Sequence, residues 1–152
     1  MTDIRYLAPS TLDEAVGAFA AAGGEARILA GGTDLIVQMR SGLVRPGLII
    51  DIKRIPDLAR IEQTADGGFR IGAAVSGAVL ALHPRFGKVW PGVLEAINLI
   101  GSTQVQGRAS PGGNLCNASP AADGVPALAA ASALATIRGP KGSRTLPEES
   151  VP

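Results

Sequence analysis

The chain has one cysteine, Cys116, and one histidine, His83, in 152 residues. A lone cysteine excludes an internal disulfide. With one histidine it also excludes the CxxC and HExxH patterns that hold zinc, and the four thiolates of an iron–sulfur centre. Aromatic residues make up 3% of the chain, too few for base-stacking platforms, and a net charge of +1 provides no electrostatic footprint for nucleic acid. No window holds the roughly 18 uninterrupted apolar residues of a membrane-spanning helix. The opening MTDIRYLAPSTLDEA lacks the basic head and apolar run of a secretory signal. The chain therefore reads as cytoplasmic, with no nucleic-acid partner, no membrane span and no metal site of its own. Glycines spaced G-x-G are also missing, and no glycine pair leads into Lys-Ser/Thr, which removes the common dinucleotide fingerprint and the P-loop.

What is present is a globular composition, with 46% hydrophobic residues, 18% charged residues and 20 glycines. A chain of this length buries roughly 68–70% of its unfolded surface, enough for a packed core. Ser10-Thr11 ahead of Asp13-Glu14 is a helix start, and Leu12, Ala15, Val16 and Phe19 share one helical face before Gly23-Gly24. Ala26–Ala30 reads as a strand entering a Gly31-Gly32 loop, with a helix after it carrying Leu35, Ile36 and Met39. Leu48–Ile52 reads as a second buried strand. Asp66-Gly67-Gly68 predicts a hairpin turn, Ser76 a cap on a helix running to Leu82, and Pro91 the start of a helix burying Val93, Ile97 and Ile100. Beyond lies a loop-rich segment, SPGGNLCNASPAAD, then an alanine-rich helix over 121–133 and a strand from Leu134 to Ile137. A turn at Pro140 to Gly142 and a further strand close the pattern. A subdomain boundary is expected near Lys53 to Asp57.

Two glycine pairs, Gly31-Gly32 and Gly112-Gly113, each lie between an apolar segment and a helix-like one. Glycine permits positive φ and lets a ligand approach backbone N–H groups, which at a helix N-terminus face a partial positive charge. A diphosphate matches that environment, and two such segments suit one elongated ligand held at two points. Either pair alone reads more simply as a tight turn.

LAGGTDLIVQMR (29–40) and GGNLCNASPAAD (112–123), in this order and with the flanking PSTLDEAV and LIGSTQV, resemble the two FAD-binding segments of the flavin subunits of molybdenum hydroxylases. This is the xanthine dehydrogenase and carbon monoxide dehydrogenase medium-subunit family, and the resemblance covers nearly the whole chain. It implies an α+β, two-lobed FAD-binding fold of the vanillyl-alcohol-oxidase type, with lobes at 1–53 and 54–152. It also implies that Ala30, Gly31, Gly32, Thr33 and Asp34 contact FAD from the first segment. Ser110, Gly112, Gly113 and Asn114 would do so from the second, with Asn117, Ser119 and Asp123 beside them. The implied function is an FAD-dependent oxidoreductase subunit. It would take electrons from an iron–sulfur small subunit carrying [2Fe–2S], itself bridged to a large subunit carrying the molybdenum cofactor, and pass them to an external acceptor. No catalytic acid, base or nucleophile is assigned.

The residues also admit plainer roles. Asp34 and Asp123 are candidate helix caps, Cys116 a small packed or loop residue, and His83 a solvent-facing side chain in a polar turn. The chain departs from the family pattern at Pro111, which has no N–H to donate, and at Gln106-Gly107, where members often carry Arg-Asn. Members are typically about twice as long, so the chain reads as C-terminally truncated. The alternative function is a remnant or assembly protein that binds no flavin usefully.

Overall fold

A computed structural model describes residues 3–151. The first part of the fold is a parallel sheet of three strands in the order β1 (Arg5–Leu7), β3 (Leu48–Asp51), β2 (Ala26–Leu29), linked through helices α1 (Leu12–Ala21) and α2 (Leu35–Arg40). β3 is central and apolar on both faces, which suits a parallel strand covered on both sides; Ile50 is fully buried. Thr11 and Glu14 form a reciprocal capping box at the start of α1, as the spacing predicts, and Gly23 and Gly24 follow the helix at positive φ. Ala15, Ala26, Leu48, Ile50, Ile52 and Ile55 make the core here.

β1 has no counterpart among the sequence expectations. It is only three residues long, all of them exposed, so no alternation of apolar and polar residues marks it, and its pairing with β3 alone makes it a strand.

Two short 3₁₀ turns, Ile52–Arg54 and Pro56–Leu58, lead out of the sheet. The expected hairpin follows as antiparallel β4 (Ile61–Gln63) and β5 (Phe69–Ile71), and Ser76 Oγ accepts from the Val79 N–H at the start of α3 (Gly77–Ala81). α4 (Phe86–Val89) and α5 (Pro91–Asn98) close a second core of Val75, Leu80, Phe86, Val93 and Ile97. His83 is not the solvent-facing side chain expected. Its ring meets Phe69 edge-on at 5.3 Å, and Nδ1 accepts from the Phe86 N–H at 3.1 Å.

The segment expected to be loop-rich carries two short helices, α6 (Thr103–Gln106) and α7 (Pro111–Cys116), and the expected alanine-rich helix follows as α8 (Gly124–Ala130). α8 is shorter than the alanine content suggests, because the chain breaks from the helix near Ser132, which adopts φ 51°. β6 (Leu134–Gly139) and β7 (Gly142–Pro147) form the closing hairpin.

Candidate functional site

The first glycine segment leaves the sheet where β2 ends. Strand pairing puts Leu29 beside Asp51, so Ala30 to Asp34 emerge at the carboxyl end of two parallel strands, the usual ligand end of such sheets. Gly32 takes φ 77°, a conformation L side chains adopt at a cost. Gly31 is required by proximity: a Cβ there would stand 2.0 Å from the Arg108 carbonyl oxygen. Among the described residues, no group accepts a hydrogen bond from the N–H of Gly31, Gly32, Thr33 or Asp34. Consecutive free N–H groups ahead of a helix form an anion-binding concavity.

Behind this segment lies a polar network absent from the sequence expectations. Lys53 Nζ donates to the Ala30 carbonyl at 2.9 Å and pairs with Asp51 Oδ1 at 2.8 Å. Asp51 also accepts from the Lys53 N–H at 3.0 Å and from the Tyr6 hydroxyl at 2.6 Å. Burial alone would raise the Asp51 carboxyl, but the hydrogen bonds from Lys53 and Tyr6 outweigh it and hold the group below its ordinary range. The bond to Asp51 in turn raises the Tyr6 phenol. The available sequence signal was a lone carboxylate in an apolar strand, LIIDI, with a lysine two residues beyond it.

The second segment is the first turn of α7. Pro111 occupies the first helical position and is buried, so its missing N–H falls where a helix has no internal acceptor. Ser110, 2% exposed, caps the turn: its Oγ accepts from the Gly113 N–H at 3.0 Å. The Asn114 N–H is bonded to the Ser110 carbonyl. Only the Gly112 N–H of this turn has no acceptor among the described residues. Gly112 is glycine because Ala73 presses on it; a Cβ would meet the Ala73 Cα at 2.7 Å.

The two segments are distant in sequence and meet in space at several points. Gly31 abuts Arg108 and Ala109, and the position of a Gly113 Cβ lies 3.8 Å from Ala30 Cβ. Gln38 Nε2 donates to Asn117 Oδ1 at 3.2 Å, across 79 residues of chain, and ties α2 to the end of α7; Gln38 is a second residue the sequence reading missed. Asn114 Oδ1 accepts from the Gly124 N–H at 3.2 Å, and Ser119 Oγ from the Ala121 N–H at 3.3 Å, so both residues also hold the turn into α8. Asp34 and Asp123 sit at the cap positions of α2 and α8 but do not cap. Both have αR backbone and neither carboxylate accepts from its helix, because capping requires the extended conformation that turns the side chain back. Both are exposed, and among the described residues Asp34 accepts only from the Thr33 hydroxyl, at 3.4 Å.

A cleft of about 240 Å³ opens beside this junction, with Lys53, Val75, Ser76 and Arg108 on its walls; neither glycine pair lines it. Cys116 lies at the end of α7 and is exposed, yet desolvation by the protein around it raises its thiol, which disfavours the reactive thiolate. Among the described residues, no group of three or more His, Cys, Asp or Glu could hold a metal ion, and no helix is long and apolar enough to cross a membrane. The arrangement can bind an anion through backbone N–H groups, with amide, hydroxyl and carboxylate side chains around them for a polyhydroxylated ligand.

Residues 2–150 match the family model described as the FAD binding domain in molybdopterin dehydrogenase. The chain is 31% identical over 147 residues to the nicotinate dehydrogenase FAD-subunit of Eubacterium barkeri, covering 96% of this chain and 49% of that protein. It is 33% identical over 144 residues to the carbon monoxide dehydrogenase medium chain of Hydrogenophaga pseudoflava, covering 95% and 50%. Among solved structures, quinoline 2-oxidoreductase from Pseudomonas putida 86 superposes with a TM-score of 0.90 at 27% identity, over 96% of this chain and 50% of its own. The chain thus spans about half the length of the relatives it matches. With an α+β fold shared with that solved chain and a family match over almost every residue, the chain belongs to the family of FAD binding domains in molybdopterin dehydrogenases.

Proposed function

We propose that this chain is the FAD-binding part of an electron-transfer subunit in a molybdenum hydroxylase. The observation that carries the reading is the run of four N–H groups, Gly31 to Asp34, without acceptors among the described residues, at the end of a parallel strand and against the second glycine segment. These groups fit a diphosphate, and Gly112 adds one more donor. Ser110 and Pro111 act here by shaping the turn, Pro111 giving up no donor that the helix could have used. Asp34 and Asp123, free of capping duty, are acceptors for sugar hydroxyls, as are the amides of Asn114 and Asn117 and the Ser119 hydroxyl. Ala30 and Thr33 set the backbone of the first segment. We place the division between lobes at 53/54, with the ligand lying across it.

Bound FAD supplies two-electron acceptance and release; the protein supplies binding, orientation and electrostatics. The single thiol of these residues cannot hold a [2Fe–2S] centre; in this reading the electrons come from an iron–sulfur small subunit fed by a large molybdenum subunit, in the cytoplasm. An external acceptor takes them onward. Titrating FAD, and separately FMN, into the purified chain while following flavin fluorescence and thermal stability tests the reading. Tight binding of FAD, weak binding of FMN and stabilisation by FAD are the expected results. A chain that neither quenches nor is stabilised by FAD is the remnant or assembly protein of the alternative reading.

A further inference from the structure

The Lys53 ammonium is engaged by a backbone carbonyl. Nζ lies 2.9 Å from the Ala30 oxygen and 2.8 Å from Asp51 Oδ1, while Asp51 is held on its other oxygen by the Tyr6 hydroxyl at 2.6 Å. The three side chains thus form a chain of charge-assisted hydrogen bonds running from the edge strand β1, through the end of the central strand β3, to the last residue before the Gly31-Gly32 turn. A trans peptide is planar, with its N–H directed opposite to its C=O. Holding the Ala30 carbonyl toward Lys53 therefore turns the Gly31 N–H to the opposite side, away from the ammonium. Glycine at 31 leaves this peptide freer to rotate than a residue with a side chain would, so the orientation gains from an external hold.

We infer that Lys53, braced by Asp51 and Tyr6, is a positioning group that sets the Ala30–Gly31 peptide plane and so preorganises the first segment's N–H groups for a diphosphate. Lys53 acts through the backbone and touches no ligand in this role. Its positive charge behind the peptide also polarises the Ala30 carbonyl, which strengthens the paired N–H as a donor. Asp51 makes this possible by fixing the ammonium: without a buried carboxylate at the strand end, a lysine 33% exposed would have little reason to fold back onto a carbonyl. The inference rests on the flavin-binding reading given above.

The test uses the whole chain and its Lys53→Met, Lys53→Arg and Lys53→Met/Asp51→Asn forms. FAD affinity is measured by fluorescence quenching, the diphosphate environment by the ³¹P shifts of bound FAD, and the melting temperature is taken without flavin. Lys53→Met should lose at least about tenfold in FAD affinity, the range of one charged hydrogen bond, with displaced ³¹P shifts. Lys53→Arg, which keeps donors for both Asp51 and Ala30, should recover most of the affinity. The double variant removes the carboxylate left unpaired in Lys53→Met; it should regain melting temperature but not affinity, separating positioning from stability. If wild type binds FAD and Lys53→Met, or the double variant, binds it equally well with unchanged ³¹P shifts, the positioning role is overturned and the flavin reading stands. If wild type binds no FAD, the flavin reading falls and takes the positioning role with it.

Discussion

Gly31-Gly32 and Gly112-Gly113 look alike in sequence and differ in nearly everything physical. The first pair lies in an open turn, with Gly32 at φ 77° and free N–H groups running to Asp34. The second is wound into the first turn of α7, neither glycine has positive φ, and the Gly113 N–H is taken by Ser110. In the first pair Gly32 is there for its dihedral and Gly31 because the Arg108 carbonyl leaves no room for a side chain; in the second, Ala73 excludes a side chain at Gly112 alone. A glycine pair is therefore a statement that a Cβ is unwelcome; whether dihedral or neighbour objects is decided elsewhere in the fold.

The buried carboxylates make a parallel contrast. Asp51 has partners for both oxygens, whereas Glu148, in the turn after β7 and 2% exposed, has no hydrogen-bond partner on either among the described residues. Burial, with Glu149 nearby, raises the Glu148 carboxyl, while hydrogen bonds lower that of Asp51.

The strongest way to break the glycine comparison is Gly31→Ala. A Cβ at 2.0 Å from the Arg108 carbonyl cannot be relieved by a rotamer, so about 3 kcal/mol or more of stability should be lost in urea unfolding, at the upper end of overpacking costs. Gly112→Ala comes next, at about 2 kcal/mol, since its clash is with the Ala73 backbone. Gly32→Ala should cost about 1–2 kcal/mol for its left-handed φ, the neighbouring Leu29 and Ile36 methyl ends being able to shift. Gly113→Ala should fall within about 0.5 kcal/mol of wild type, because better helix propensity offsets crowding of the Ser110 hydroxyl at 3.0 Å. Equal losses at all four positions would erase the distinction between the pairs.

The carboxylate contrast is sharpened by pH, with the smallest effect. Glu148 has its folded pKa above the ordinary 4.5, so the folded state holds the proton that the unfolded state loses, and stability falls as pH rises from about that value through the raised one. Asp51 runs the other way: its contribution is present above the ordinary 3.8 and is lost as pH falls through its lowered value. Urea midpoints across this range should show the Glu148 slope disappear in Glu148→Leu while the acid-side loss remains.

Periodicity made most of the framework legible. The capping box at Thr11, the Asp66-Gly67-Gly68 hairpin, the Ser76 cap and the Pro91 helix start all depend on residues within a few positions of one another, and all four are present. The helix over 111–116 was not legible, since glycine and proline argue against a helix unless proline falls at its first position and a serine stands ready to cap it. The motif residues of the candidate site were marked by their glycines and polar side chains. Gln38 was not, because a glutamine on a partly exposed helix carries no local signal of what it reaches, and Lys53 was marked only by standing two residues beyond Asp51.

What the sequence by itself determined is everything governed by neighbours along the chain: where helices begin, where turns fall, which strand is buried, and that two stretches avoid side chains. What the tertiary structure alone decided is which groups those stretches face. Only folding brings Arg108 against Gly31, Asn117 to Gln38, and Lys53 with Asp51 under the Ala30 carbonyl. Such contacts depend on the packing of distant elements, and a peptide plane is oriented by whatever stands across from it in space.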